Sequence, residues 1–298
     1  MKNFIFTAMA LCACVICGLP AASRAGTLAV GGSIWAGQWD SALEEPGAEN
    51  ANSLVIWILC NPPYSATDLT EKTTRMGTCR GVLLGPDVSY QTADERWLFR
   101  ASFLVLNALA QKATATFAKS GNPIPARYML VLDRREVDAA VERTFFERWR
   151  LYAGYTFQAF QNEISADLHN SGYVKLYRFS SMVHAPCAGA AYVAPVSTAM
   201  SLGVRLGLLY VIPRLKSKIY VDHDDTVAYD SGNVPLKNAP GFNGEIFLAY
   251  RASESVLLRG GYRYQRVKFE SRDRGGLNEW DTFQGVTLSA VYLWPLGE

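Results

Sequence analysis

One short pattern occurs twice in this chain and limits what it can fold into. In both copies an alternating segment of polar and apolar residues runs into a charged tight turn, and a second alternating segment follows that begins with tryptophan. The turns read Glu95-Arg96-Trp97 and Glu147-Arg148-Trp149. Alternation with a period of two indicates strands, and a turn of a few residues between two strands makes a hairpin. Two such hairpins joined by a long connection predict an up-and-down antiparallel barrel.

The same alternation recurs along most of the chain. It is clearest after the second turn, where Leu151, Tyr155 and Phe157 alternate with Arg150 and Thr156. We therefore predict an all-β barrel of about ten strands, with twelve as the alternative if the apolar run at 54–60 also pairs. The predicted strands are 28–39, 82–90, 97–105, 129–143, 149–161, 183–193, 202–210, 242–251, 256–265 and 282–294.

The connections between these strands are short and long in turn. Tight turns are expected near residues 93, 146, 196 and 254, on the side where both ends of the mature barrel also lie. Long surface loops are expected on the other side, at about 40–78, 106–128, 162–182, 212–241 and 270–281. With 298 residues and no evident linker, the remainder of the chain after its leader, 26–298, is expected to form a single domain.

Residues 1–25 are typical of a secretory signal peptide. Lys2 gives a positive start, an apolar core runs from Phe4 to Leu19, and small residues precede a predicted cut after Ala25. A lipoprotein signal ending at Cys14 is the weaker alternative, because its apolar core would be too short. The mature chain is therefore expected to leave the cytoplasm.

The charge of the chain gives no sign of a nucleic-acid partner. The formal net charge is +2 and the isoelectric point is about 8.2, with positive and negative residues mixed along the sequence. Nucleic-acid-binding domains usually concentrate lysine and arginine on one face or in one run. We therefore expect no nucleic acid among the partners.

With these strands, turns and the aromatic end of the last strand at Tyr292 and Trp294, the chain resembles bacterial outer-membrane β-barrel proteins. The resemblance covers about residues 26–294. It implies a location in the outer membrane after secretion to the periplasm, contact with outer-membrane lipid, and assembly by the barrel-insertion machinery. One departure is that the chain ends Leu296-Gly297-Glu298, whereas such barrels often end in an aromatic residue.

The strand register predicts a charged barrel interior. Lipid on the outside and a polar lumen on the inside explain why one face of each strand is apolar while the other carries charge and glycine. A barrel near ten strands has a narrow interior, so these charges are expected to pair across the lumen rather than line a wide pore. The residues predicted to face the lumen are Asp87, Arg100, Glu136, Asp138, Glu142, Arg150, Arg205, Glu245, Arg259 and Arg263.

Removal of the signal peptide would leave three cysteines. Cys60 and Cys79 fall in one long connection, and we predict that they form a disulfide in an oxidising compartment. Two reduced cysteines are the alternative. Cys187 is predicted to be a small buried apolar side chain.

Only one run of residues could be catalytic. Asp222-His223-Asp224, in the fourth long loop, is similar to the Asp/His pair with which the outer-membrane proteases called omptins activate water, and Asp40, Glu44 or Glu45 would have to supply their acidic pair. A divalent-cation site at the same run is the other alternative. A lipid-modifying enzyme would have to use His169, His184 or His223, and none of them lies in a nucleophile motif.

These observations favour a barrel that is not an enzyme and needs neither a cofactor nor a metal. It would act as a narrow transport channel or as a structural surface protein, with a periplasmic or surface partner that the sequence does not identify. A surface hydrolase that uses the fourth loop and an adhesin that binds through its loops are the alternatives.

Overall fold

The structure is a computed structural model that describes residues 26–40, 69–72, 79–119, 122–168, 173–220, 227–230, 234–270 and 278–296. These residues contain thirteen strands. No helix among them is long and apolar enough to cross a membrane. The strands are β1 Gly26–Asp40, β2 Leu69–Lys72, β3 Cys79–Thr92, β4 Trp97–Lys119, β5 Asn122–Phe146, β6 Trp149–Leu168, β7 Tyr173–Pro195, β8 Met200–Tyr220, β9 Val227–Asp230, β10 Val234–Pro235, β11 Ala239–Ser253, β12 Val256–Glu270 and β13 Asn278–Leu296.

Ten long strands among the described residues close into one barrel. Each pairs with the next long strand in an antiparallel ladder, and β1 pairs with both β13 and β3. Gly26 at the start of β1 lies beside Leu296 on one side and Thr92 on the other. Closure leaves no long strand with an unpaired edge, which is what a β-structure in lipid requires. The predicted all-β, up-and-down barrel of about ten strands is confirmed.

Three short strands pair with the ends of long strands and do not add strands to the barrel wall. β2 pairs with the far end of β4, and β9 and β10 pair with the far end of β8. The run at 54–60, on which the twelve-strand alternative depended, lies outside the described residues. The signal peptide predicted at 1–25 lies outside them too.

The four tight turns lie where the sequence predicted them. They connect Thr92 to Trp97, Phe146 to Trp149, Pro195 to Met200, and Ser253 to Val256. We call the end of the barrel that carries these turns, together with Gly26 and Leu296, the tight-turn rim, and the opposite end the long-loop rim.

The first turn shows how its sequence closes it. The backbone amide of Glu95 donates to the carbonyl of Thr92 at 2.9 Å, and Glu95 has a φ of 57°, in the left-handed region. Thr92 Oγ1 donates to Asp94 Oδ1 at 2.5 Å, which holds the pKa of that carboxyl below its ordinary value. The amide of Arg96 donates to the same Asp94 oxygen at 3.1 Å. Threonine and aspartate at these positions therefore build the turn themselves.

The predicted loop bounds were wrong at the long-loop rim, because the strands continue well into the segments expected to be loops. In the segment 106–128, β4 and β5 stay paired as far as Lys119 and Asn122. Strands likewise run into the segments 162–182, 212–241 and 270–281, and β2 lies within the segment 40–78. Both faces of a strand meet water beyond an apolar band, so the alternation that marks a strand in sequence fades there while the backbone pairing continues.

The outer face of the barrel carries a band of exposed apolar side chains. Leu206, Leu208 and Leu288 are 63%, 75% and 55% exposed. Aromatic side chains border the band at the tight-turn rim, where Tyr292 and Trp294 are both exposed. Further exposed members of the band are Val30, Ile34, Val82, Leu84, Trp97, Val141, Trp149, Leu151, Tyr155, Leu202, Tyr210, Phe242, Ile246, Leu248, Tyr250, Leu258, Tyr262 and Val286.

Candidate functional site

The interior of the barrel brings the predicted lumen residues together. Asp87, Arg100, Asp138, Arg205, Glu245, Arg259 and Arg263 line one cavity of about 100 Å³, and Glu136, Glu142 and Arg150 are joined to this set by ion pairs. Arg100, Tyr152 and Arg259 each follow a tight turn by a few positions, so the cavity lies in the half of the barrel nearer the tight-turn rim. The period-two register of the strands therefore carries these charges to one place.

Arg263 joins opposite sides of the lumen. It extends from β12, and its Nη2 lies 2.7 Å from Glu136 Oε1 and 2.7 Å from Asp138 Oδ2, both on β5. In the barrel order β5 and β12 lie across from each other. Asp138 also accepts a hydrogen bond from Thr156 Oγ1 at 2.6 Å, and Glu136 accepts one from Gln158 Nε2 at 3.0 Å. One arginine thus neutralises part of the charge of two carboxylates, of which Glu136 is buried and Asp138 half-buried.

Glu142 is shared among three arginines. Its carboxylate oxygens lie 3.4 Å from Arg100, 3.3 Å from Arg205 and 3.9 Å from Arg150. Charge-assisted hydrogen bonds between nitrogen and carboxylate are typically about 2.7–2.9 Å long, so none of these three contacts is a tight pair. Arg259, by contrast, pairs with Glu245 at 2.7 Å.

Aromatic rings support several of these guanidinium groups. Arg205 lies 3.9 Å from the ring centre of Tyr152, and Arg259 lies 3.6 Å from that of Phe247. A cation over an aromatic ring is attracted by the partial negative charge on the face of the ring, and the attraction grows where water is excluded. Room for Tyr152 comes from Gly207 on β8, because a Cβ there would overlap the tyrosine hydroxyl.

A second layer of the interior, centred on Arg134, was missed by the sequence analysis. Arg134 is 1% exposed, and its Nη2 donates to Glu136 Oε2 and to Gln265 Oε1, each at 2.9 Å. Within the described residues its Nε and Nη1 have no hydrogen-bond acceptor. They face a ring of aromatic side chains instead. The distances from Arg134 Cζ to the ring centres are 4.6 Å for Phe283, 5.0 Å for Phe160, 5.6 Å for Trp39 and 5.7 Å for Trp35.

These rings bridge the barrel from wall to wall. Trp39 of β1 contacts Phe160 of β6 with ring centres 5.4 Å apart, and Phe160 contacts Phe269 of β12 at 6.4 Å. In the barrel order β6 lies across from both β1 and β12, which are separated from each other by β13 alone. We call Arg134 with Trp35, Trp39, Phe160, Phe269 and Phe283 the aromatic plug. It lies between the charged cavity and the long-loop rim.

A signal for the plug was present in the sequence. Arg134 precedes Glu136 and Asp138 by even steps, so the register that turned those two residues inward turns Arg134 inward as well. Trp35 and Trp39 are in phase with Ser33 and face the interior for the same reason.

The candidate catalytic residues are not part of this site. Asp222, His223 and Asp224 lie outside the described residues, as do His169, Glu44, Glu45 and the side chain of Asp40. The hydrolase and cation-site alternatives therefore stay predictions. Within the described residues no three His, Cys, Asp or Glu side chains are grouped as metal ligands.

The remaining predicted residues have mixed outcomes. Cys60 and the side chain of Cys79 lie outside the part of the chain whose side chains are described, so the disulfide stays a prediction. Cys187, predicted to be a small buried apolar side chain, is a free cysteine that is half buried and lines the charged cavity. His184 faces outward, where its Nδ1 is a hydrogen-bond partner of the Tyr155 hydroxyl.

Comparisons with known proteins assign this chain neither a family nor an activity. No protein-family model and no curated protein matches the chain. The outer membrane protease OmpT from Escherichia coli is 9% identical with a TM-score of 0.45, covering 90% of this chain and 95% of that one. The translocator domain of the autotransporter NalP from Neisseria meningitidis is 10% identical with a TM-score of 0.43, covering 98% and 95%.

A third solved structure, the outer membrane protein OprG from Pseudomonas aeruginosa, is 14% identical with a TM-score of 0.32, covering 66% of this chain and 95% of that one. At these TM-scores the likenesses support no argument about activity. The closed, antiparallel strand pairing itself confirms the architecture implied by the predicted resemblance to outer-membrane barrels.

Proposed function

We propose that this protein is a non-enzymatic barrel of the bacterial outer membrane, closed to free diffusion, that supports β-hairpins projecting beyond the membrane. The location is supported by the outer face. Soluble monomers rarely expose a continuous apolar surface of more than a few hundred Å², whereas lipid-facing barrel walls consist of one. Leu206 and Leu208, both largely exposed, sit in the middle of this surface.

The orientation follows from the lengths of the connections. Outer-membrane barrels carry short turns on the periplasmic side and long loops outside. On this basis the tight-turn rim faces the periplasm, and the paired ends of β4 and β5 project outward from the long-loop rim. Outer-membrane lipid and the barrel-assembly machinery are then the expected partners, and an adhesive or structural partner would bind to the projecting hairpins.

Closure to diffusion is supported by one observation, the aromatic plug around Arg134. Hydrogen bonds from Arg134 join β5 to Gln265 on the opposite wall, and the rings fill the space around them. Side chains packed in this way exclude ions and water from the cross-section, as the narrow width of small barrels also favours.

Single-channel recording in planar lipid bilayers tests this proposal. The wild-type barrel should give no resolved conductance steps, whereas the double variant Trp39→Ala and Phe160→Ala, which opens the plug, should give them. A matched control is Tyr292→Ala, which removes a ring from the outer face. Resolved steps in the wild type would contradict closure.

Narrow transport is the second candidate, and the charged cavity on the periplasmic side of the plug favours it. Transport would require the plug to move, and solutes would then pass Arg259 and Arg263. If the wild type conducts and the conductance disappears when these two arginines are neutralised, the transport function replaces the closed one.

A further inference from the structure

The arginines around Glu142 carry more positive charge than that carboxylate neutralises. Arg100, Arg150 and Arg205 all approach it, at 3.3 to 3.9 Å, and their side chains keep 24%, 26% and 15% of their surface exposed. Guanidinium groups that are well paired make shorter contacts and usually bind a carboxylate through two nitrogens. These three therefore retain hydrogen-bond donors for another acceptor.

The surrounding charges leave this surplus in place. On the periplasmic side of the plug, Arg259 is paired with Glu245 at 2.7 Å, and Asp87 is one further carboxylate lining the cavity. Together with the three arginines and Glu142, this half of the lumen has one positive charge more than it has negative charges. Deeper in the lumen, Arg134 and Arg263 balance Glu136 and Asp138.

The cavity has room for a ligand next to these arginines. Its volume is about 100 Å³, and a single buried water needs about 10–15 Å³ on the same measure. Several waters, or one tetrahedral oxyanion with a few waters, fit in this space. A neutral donor is close as well: Asn243 lines the same cavity, and because its Oδ1 accepts from the Tyr152 hydroxyl at 3.1 Å, its amide nitrogen points the other way.

From this geometry we propose that the periplasmic half of the lumen binds one small oxyanion, such as inorganic phosphate, between Arg100 and Arg205. Planar guanidinium groups match the oxygens of phosphate and sulfate, and the partial exclusion of water strengthens the attraction. Glu142 competes with the anion for the same donors. The site depends only on the lumen and holds whether or not the barrel conducts.

The experiment is a calorimetric titration of the refolded full-length barrel, in a zwitterionic detergent, with inorganic phosphate at constant ionic strength. Wild-type protein should bind one phosphate per chain. Arg205→Gln should weaken binding about tenfold or more, because one charged hydrogen-bonding partner is lost. Glu142→Gln should strengthen binding by a similar factor, since the competing carboxylate is removed.

Arg135→Gln is the matched control. Arg135 lies on β5 like Glu142 but points outward, where it pairs with Asp133 at 3.0 Å, so phosphate affinity should not change. If Glu142→Gln does not fold, as judged by electrophoretic mobility without boiling, Arg150→Gln supplies the second test and should weaken binding. The proposal is overturned if the wild type binds no phosphate. It is also overturned if Arg135→Gln and Arg205→Gln lose equal phosphate affinity, or if folded Glu142→Gln binds phosphate more weakly than the wild type.

Discussion

Replacing Arg263 should destabilise the barrel far more than replacing Arg134, although both are arginines inside the lumen. Arg263 is the cation that two carboxylates share, with 2.7 Å contacts to Glu136 and to Asp138. In Arg263→Met, half-buried Asp138 loses the cation that pairs with it, and buried Glu136 keeps only Arg134 at 2.9 Å. Removing one partner of a buried pair typically costs about 3–5 kcal/mol, and we expect a loss of unfolding free energy in this range.

The expected loss for Arg134→Met is smaller. Glu136 would keep Arg263 at 2.7 Å and Gln158 at 3.0 Å, so no carboxylate is left unpaired. The variant loses charge-assisted hydrogen bonds and ring contacts worth about 1.5–3 kcal/mol or more, but the desolvation penalty of burying a cation is also removed. Methionine also retains most of the side-chain volume. We expect a net loss of about 1–2 kcal/mol from these opposing contributions.

Equilibrium urea unfolding in phospholipid vesicles, followed by tryptophan fluorescence, measures both values. Asp138→Asn in the Arg263→Met background should recover roughly half of the loss, because it neutralises the acid that is left without a cation and keeps an oxygen for the hydrogen bond from Thr156. A loss of unfolding free energy in Arg263→Met no larger than that in Arg134→Met would contradict this ranking. A double variant with Asp138→Asn that is less stable than Arg263→Met alone would contradict it as well.

Three further perturbations test other parts of the structure. Leu206→Arg, which would be harmless on a surface facing water, should cost about 2–4 kcal/mol of unfolding free energy in the same assay, because the proposed location places this largely exposed side chain against lipid. Gly207→Ala should cost about 1–3 kcal/mol there, since the added methyl overlaps the Tyr152 hydroxyl. Thr92→Val should raise the pKa of Asp94, measured by NMR titration, because the hydrogen bond that lowers this pKa is lost. In the wild type, the stability that ionised Asp94 gives the turn should be lost as the pH falls through its lowered pKa.

The strands and turns near the tight-turn rim were predictable because local chemistry determines them. Threonine and aspartate in the turn at Thr92, and strict alternation after Trp149, leave little choice of conformation. The same alternation turned Arg100 and Glu142 into the lumen. Inward and outward faces depend only on the period of two, so a correct strand gives the face of each residue.

The pairing across the lumen was not predictable in this way. Arg263 meets Glu136 although 127 positions separate them, and nothing local to either residue identifies its partner. The partner depends on which strands lie opposite each other and on how far they are staggered, which only the closed barrel defines. Arg134 was overlooked because it lies in a run of four charged residues, 133–136, and such a run hides the alternation between the two faces of a strand.

The loop bounds failed for a different reason. Beyond the apolar band, strands such as the ends of β4 and β5 have water on both sides, so their residues show no contrast between faces. Hydrophobic pattern therefore measures the height of the band and not the length of the strand.

The proposed location requires the exposed apolar face of this barrel to contact outer-membrane lipid. Electrophoresis of the outer-membrane fraction with and without boiling tests it most directly. A closed, detergent-resistant barrel should be found in that fraction and should migrate faster unboiled than boiled. Absence of the protein from the fraction, or equal mobility under both conditions, would contradict the assignment of the apolar face to lipid.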